Sequence, residues 1–172
     1  MGGKGTFYMD WFALYVKSRH EFITNGELNK KGIETFLPSV KKMRQWKDRK
    51  KFIDFPIFPG YLFTHIYPDN KNFFSILNTR GAVKIISSEP GIPAPIPLME
   101  IESLKLLIES GTGFDIYPHL KEGTRVRVIR GPLKGAEGML KEKGDNYTFL
   151  VNIELLGRGI GVKINADCVE NA

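Results

Sequence analysis

The chemistry this sequence offers is ionic rather than catalytic. From Lys41 to Lys51 it reads Lys-Lys-Met-Arg-Gln-Trp-Lys-Asp-Arg-Lys-Lys, the densest positive segment of the chain. Lysine and arginine at that density suit phosphate oxygens, because each neutralised phosphate releases condensed counterions. Lys47, Arg49, Lys50 and Lys51 are the candidate phosphate contacts. The same run also fits a solvated hairpin arm, since so many like charges resist burial. Trp46 within it either stacks on a base or folds back on the arm. Asn78-Thr79-Arg80 is a second polar group, placed where a helical pattern gives way to a strand pattern, and a cap and turn is its commonplace reading.

Residues for covalent or metal chemistry do not assemble. Cys168 is the sole cysteine, which excludes a disulfide framework and a thiolate zinc site. His20, His65 and His119 are scattered without metal-ligand spacing, and no nucleophile has a suitable histidine partner. Arg130-Gly131-Pro132-Leu133-Lys134-Gly135 lacks the Gly-x4-Gly-Lys-Ser/Thr spacing of a phosphate loop. No cofactor and no enzymatic activity are expected. Met1-Gly2 with Thr6 fits a permissive myristoylation pattern and Asn146-Tyr147-Thr148 a glycosylation sequon, but such patterns carry little by themselves. No apolar run approaches the roughly 20 residues of a membrane helix, and no signal-peptide core opens the chain. A cytoplasmic, reducing compartment is expected.

The 172 residues suffice for one domain plus a small module, and 42% hydrophobic with 12% aromatic content is that of a globular protein. The excess of 25 Lys+Arg over 19 Asp+Glu gives +6, which favours a polyanionic neighbour. Trp11–Val16 is an apolar run of strand length, followed by a helical pattern with Phe22, Ile23, Leu28 and Ile33 at apolar positions and Gly26 interrupting it. Strands are expected over 35–40, 52–55, 61–66 and 82–86, and helices over 68–78 (Phe73, Phe74, Ile76, Leu77) and around Met99, Ile101, Leu104, Leu107 and Ile108. Periodicity lapses over 111–119, which reads as a linker. It then changes to two, with short strands at barrel-like spacing. The expected bounds are a mixed α/β domain at 9–110, a linker at 111–119 and a β-barrel at 120–172.

Four segments in this order resemble one family. Trp11-Phe12-Ala13-Leu14-Tyr15-Val16, Phe58-Pro59-Gly60-Tyr61-Leu62-Phe63 and Asn78-Thr79-Arg80-Gly81-Ala82-Val83 resemble the first strand, central motif and loop of NusG-type transcription factors. Gly123 to Gly138 resembles the KOW motif, with Val151 to Val162 following it. The resemblance implies an α+β fold: a ferredoxin-like sandwich with a four-stranded antiparallel sheet, then a small Src-homology-3-type β-barrel. Where NusG commonly has Thr-Pro-Gly this chain has Thr79-Arg80-Gly81, closer to specialised paralogues such as RfaH and the UpxY antiterminators. Alternating Val126, Val128, Val151 and Ile153 read as ordinary β sequence, which argues against the helical switching of RfaH.

The resemblance also implies partners. Tyr15, Phe58, Tyr61 and Phe63 match a patch that grips the clamp helices of RNA polymerase, although some of these aromatics must fill the core. Lys17, Arg19, His20, Asn78, Thr79 and Arg80 match positions near the non-template DNA strand of the transcription bubble, with solvated surface charge as the alternative for the first three. Phe149, Val151 and Ile153 match the barrel strand that binds a small-subunit ribosomal protein or Rho. A monomer without membrane contact is expected. The rival reading is a ribosome-associated RNA-binding KOW protein, and a weaker third is an enzyme with an appended barrel. The ribosomal reading predicts charge concentrated in the barrel, but after residue 118 Lys+Arg total 9 against 7 Asp+Glu.

Overall fold

The computed structural model describes residues 8–117, 123–143 and 146–172. The leader with Gly2 and Thr6, and His119, lie outside the described residues. Contacts divide the chain into two units between Pro95 and Ile96.

The first unit runs β1 (Asp10–Val16), α1 (Glu21–Lys30), β2 (Glu34–Phe36), β3 (Ser39–Gln45), β4 (Lys50–Pro56), β5 (Tyr61–Ile66), α2 (Asn70–Leu77), β6 (Ala82–Ile85), β7 (Ser87–Glu89) and β8 (Ile92–Pro93). Its main sheet has the order β2-β5-β1-β6, and those neighbours pair antiparallel. With α1 and α2 as the two crossovers, this is the expected ferredoxin-like order. The hairpin β3–β4 is inserted between β2 and β5 and pairs only with itself, over seven cross-strand positions.

Alternation along β1 and β5 sorts their side chains onto two faces. Phe12, Leu14, Val16, Leu62 and Ile66 form one buried cluster with Leu28 of α1 and Ile76 of α2. Burying a leucine such as Leu28 is worth about 1.5–3 kcal/mol. The other face carries three cross-strand pairs: Trp11 with His65, Ala13 with Phe63, and Tyr15 with Tyr61.

The helices turn differently from their sequence pattern. In α1 the inward residues are Glu21, Thr24 and Leu28, whereas Phe22 and Ile23 face outward. Polar residues hold the inner position because that face meets backbone groups as well as apolar core. Gly26 does not break the helix. In α2, Ile76 is buried and Phe73 packs edge-on to Phe12, while Phe74 is 71% exposed.

The second unit contains β9 (Pro95–Ile96) in part, α3 (Leu98–Glu109), β10 (Asp115–Tyr117), β11 (Thr124–Val128), β12 (Glu137–Lys143), β13 (Asn146–Ile153), β14 (Arg158–Ile164) and β15 (Val169–Asn171). Its sheet is antiparallel in the order β10-β14-β13-β12-β11-β15, an open hydrogen-bonded path among the described residues. Part of the segment expected as a linker is thus strand β10, whose Asp-Ile-Tyr is too short to show a period. Contacts also group α3 with this unit rather than the first. Val126, Val128, Phe149, Leu150, Val151, Ile153, Ile160 and Val162 are its buried core.

Helix α3, whose Ile101, Leu104 and Leu107 are buried, packs on β12 and β13 and accepts hydrogen bonds from two backbone N–H groups. The Ser103 hydroxyl accepts from Glu137 N–H at 2.9 Å, and Glu100 Oε2 accepts from Glu154 N–H at 3.2 Å. Burial pushes the Glu100 carboxyl up to about 7, with the Glu154 carboxylate adding to the rise; the Glu154 N–H and Arg125 oppose it. A carboxyl whose folded pKa lies above its unfolded value binds more protons when folded. Stability is therefore lost as pH rises from about 4.5 towards 7. Glu100→Gln should stabilise the protein more at about pH 8 than at about pH 5, measured by chemical denaturation at both. An equal effect at the two pH values would mean that Glu100 is ionised without cost.

Candidate functional site

Two turns of the same design meet at the end of β1. Phe58-Pro59-Gly60-Tyr61 is closed by Tyr61 N–H to Phe58 O at 3.0 Å, and Thr79-Arg80-Gly81-Ala82 by Ala82 N–H to Thr79 O at 3.0 Å. The third residue of each is a glycine with positive φ, +85° at Gly60 and +87° at Gly81. That is the pattern of a type II turn, which puts glycine third and favours proline second. Arg80 therefore occupies the place that Pro59 holds in the other turn.

Neighbouring groups clip both turns in place. Val16 N–H donates to Gly60 O at 2.9 Å, and the next amide, Lys17 N–H, donates to Gly81 O at 2.8 Å. From α1, the buried Glu21 carboxylate accepts from Gly60 N–H at 2.8 Å, and the Thr24 hydroxyl donates to Arg80 O at 2.8 Å. A Cβ on Gly81 would collide with Thr24 Oγ1 and lie 2.9 Å from His20 Cβ. One on Gly60 would lie 3.1 Å from the Tyr15 ring. The glycines thus serve close approach as well as conformation.

A third turn completes the cluster. His20 N–H donates to Lys17 O at 3.0 Å, and Arg19 sits within that turn at φ 63°. A left-handed conformation at a non-glycine residue costs of the order of 1 kcal/mol and concentrates at functional sites. Lys17 and Arg19 are exposed, and the half-buried His20 ring nitrogen Nδ1 lies 3.0 Å from Ser18 O.

The expected site residues separate accordingly. Tyr15, 36% exposed, and the half-buried Tyr61 stand side by side with ring centroids 5.4 Å apart. They adjoin the clipped turns, as do Lys17, Arg19, His20, Asn78 and Arg80. Asn78 is exposed, and its amide nitrogen donates to Phe74 O at 3.1 Å, leaving its side-chain oxygen as an acceptor. Three expectations here need correction. Phe58 and Phe63 are buried, stacked edge-on at 6.3 Å with Phe36 beyond Phe63, so neither ring presents surface to a partner. Thr79 is buried, and its hydroxyl donates to Ser75 O at 3.0 Å and accepts from Lys31 Nζ at 2.9 Å, so it secures the turn instead of facing a base.

Elsewhere, Phe149, Val151 and Ile153 are fully buried, so the expectation of a partner-binding strand is corrected as well. Lys47, Arg49, Lys50 and Lys51 are exposed on the β3–β4 arm, as is Trp46, which does not fold back. Sequence reading missed Glu21, Thr24 and Lys31. Their signal is faint: Glu21 and Thr24 are polar residues three apart on the inner face of a short helix. Among the described residues no His, Cys, Asp or Glu cluster fits a metal ion, and no helix is long and apolar enough to cross a membrane.

Comparison with known proteins places these turns in a wider set. The family model described as transcription termination factor nusG matches residues 9–105, which include all three turns. A transcription termination/antitermination protein NusG from Lactococcus lactis is 24% identical over 178 residues, covering 98% of this chain and 93% of that protein. The protein of the same name from Streptococcus pyogenes is 26% identical over 160 residues, covering 85% of this chain and 87% of its own. A solved structure of Thermotoga maritima NusG aligns over 95% of this chain and 97% of its own, at 20% identity and a TM-score of 0.49.

The clip makes a direct stability prediction. Glu21→Ala leaves a buried Gly60 N–H without an acceptor and should cost about 1–3 kcal/mol, whereas Glu21→Gln, which keeps an acceptor oxygen, should recover much of it. Equilibrium unfolding of the three proteins is the measurement. Equal stability for wild type and Glu21→Ala would show that water replaces the carboxylate there.

Proposed function

The chain belongs to the NusG family, whose model spans residues 9–105 of its 172, and from that membership we propose that it acts in transcription as an elongation or antitermination factor bound to RNA polymerase. The observation that carries the reading is the junction of the clipped turns. It puts the partly exposed Tyr15 and the half-buried Tyr61 next to an exposed Asn78 and Arg80. Aromatic side chains held on a rigid sheet supply area at low entropic cost, which suits a stable protein contact. Asn78 and Arg80 are polar, exposed and fixed at the backbone, which suits an unpaired base in the bubble.

In this reading Tyr15 and Tyr61 grip the clamp helices of the polymerase. Asn78 and Arg80, with Lys17, Arg19 and His20 beside them, lie along the non-template DNA strand. The protein works in the cytoplasm as a monomer, with a polymerase-binding domain within 9–110 and a KOW domain at 120–172, the segment expected as a connection at 111–119 also carrying strand β10. The KOW domain recruits a second partner, a small-subunit ribosomal protein or Rho. Tethering that partner makes its encounter effectively intramolecular, at about millimolar effective concentration.

Arg80 supports a specialised factor. Proline second in the turn shapes the backbone but has no donor, whereas arginine brings five donors and a flat face for stacking. The turn itself accepts either residue, because a type II turn favours proline at that place.

Two substitutions separate the two contacts. Tyr61→Ala should weaken polymerase binding by about 1–3 kcal/mol with the melting temperature nearly unchanged. Loss of folding without selective loss of binding would return Tyr61 to a purely structural role. Arg80→Pro should keep clamp binding yet weaken preference for a particular non-template element by about 1–3 kcal/mol, the scale of one base contact. Pause escape on templates with randomised non-template bubbles reads this out. Equal stimulation of every template by both proteins would make this a general elongation factor.

A further inference from the structure

The β3–β4 arm has two chemically different faces. Directly paired residues of an antiparallel ladder point to the same side, and successive residues point to opposite sides. One face therefore carries Val40 with Phe55, Lys42 with Ile53, and Arg44 with Lys51. Trp46 and Arg49 continue it, the Trp46 N–H closing the terminal turn on Arg49 O at 2.8 Å. The other face carries Lys41 with Asp54, Met43 with Phe52, and Gln45 with Lys50. The first has Lys42, Arg44, Arg49 and Lys51 and no carboxylate. The second sets one carboxylate against two lysines and has an apolar pair between them.

Geometry adds to the asymmetry. Same-face residues recur at about 6.8 Å along a strand, close to the phosphate spacing of an extended single strand. The Lys42 ammonium lies 5.8 Å from the Phe55 ring centroid, which holds that cation over the sheet. Trp46 is 50% exposed at the tip, beside a shallow cleft of about 370 Å³ lined by Arg44, Gln45, Trp46 and Lys47. A solubilising arm has no need of a face free of carboxylates and gains nothing from an exposed tryptophan.

We propose that this arm is a one-sided track for single-stranded nucleic acid, with Lys42, Arg44, Arg49 and Lys51 on the phosphates and Trp46 stacked on an unpaired base. A duplex offers the same phosphates but keeps its bases stacked on each other, so the tryptophan contributes only with a single strand. The site is separate from the Asn78–Arg80 turn and does not depend on polymerase binding.

The test uses the full chain and labelled oligomers of about 12 nucleotides, oligo-dT, oligo-rU and a blunt DNA duplex, without polymerase. The single strands should bind more tightly than the duplex. Trp46→Ala should weaken them about 5- to 150-fold and remove that preference, while Trp46→Phe retains most of the affinity. Arg44→Gln with Lys51→Gln should lower the slope of log affinity against log salt by about 1.4. Lys41→Gln with Lys50→Gln removes the same charge from the other face and should change the slope much less. Each variant is first checked for unaltered circular dichroism and melting, and all the substituted residues are exposed. Trp46-dependent binding of either the deoxy or the ribo strand supports the track. Equal affinity for duplex and single strand, an unaffected Trp46→Ala variant, or equal slope changes from the two charge pairs would overturn it. Because no polymerase is present, these results leave the Tyr61 test standing on its own.

Discussion

Two consecutive amides, those of Val16 and Lys17, hold this molecule's chemistry in one place. One ends β1 and the other directly follows it, and each fastens a turn from a distant part of the chain. The first turn of α1 reinforces both fastenings from the side, through Glu21 and Thr24. A buried carboxylate on a backbone amide is a charge-assisted bond, roughly twice as strong as a neutral one. Removing it takes away the acceptor of the Gly60 N–H. The tyrosine pair, the exposed Asn78 and Arg80 and the strained Arg19 all sit within reach of this junction. Their arrangement thus follows from hydrogen bonds within the chain itself.

The turns were the legible part of the site. Pro-Gly and Arg-Gly mark them in the sequence, and the positive φ at Gly60 and Gly81 is why glycine stands there. A mixed α/β domain was legible too, because apolar strands alternate with helical patterns and short connections, whereas the ferredoxin-like order came from the family resemblance alone. The groups that secure the turns were not. Nothing in the sequence singles out Glu21 and Thr24, because a carboxyl or hydroxyl inside is uncommon and only the fold supplies the amide and carbonyl that satisfy them. Phe22 and Ile23 misled in the opposite sense, since an exposed apolar residue carries no mark in the sequence. Phe58, Phe63, Phe149, Val151 and Ile153 share one cause. Resemblance assigns a position to a surface, but it does not say whether this chain covers that surface. Strand β10 was lost because three residues are too few for a period.

The two sides of the β1–β5 pair divide the labour of the first unit. Toward the helices lies an ordinary apolar core. On the other side, Trp11 stacked on His65 and Tyr15 beside Tyr61 flank the apolar pair Ala13 and Phe63. The tyrosine pair is the one of the three that lies beside the clipped turns. A single pair of strands thereby holds both the tyrosine pair and the ends of the clipped turns, without a hinge between them.

The inserted arm has an evolutionary consequence. Its base is closed by Ile57 N–H on Pro38 O at 2.8 Å, and it pairs with no strand of the main sheet. Natural variation can therefore lengthen, shorten or replace it without disturbing the register of β2, β5 or β1. One arithmetic rule survives: adding a single residue to each strand would turn every side chain beyond it to the opposite side. Related arms that keep a cationic side should differ in length by even steps per strand. Odd steps should appear together with rewritten charge patterns, so parity would leave its imprint on the lengths found among descendants of this chain.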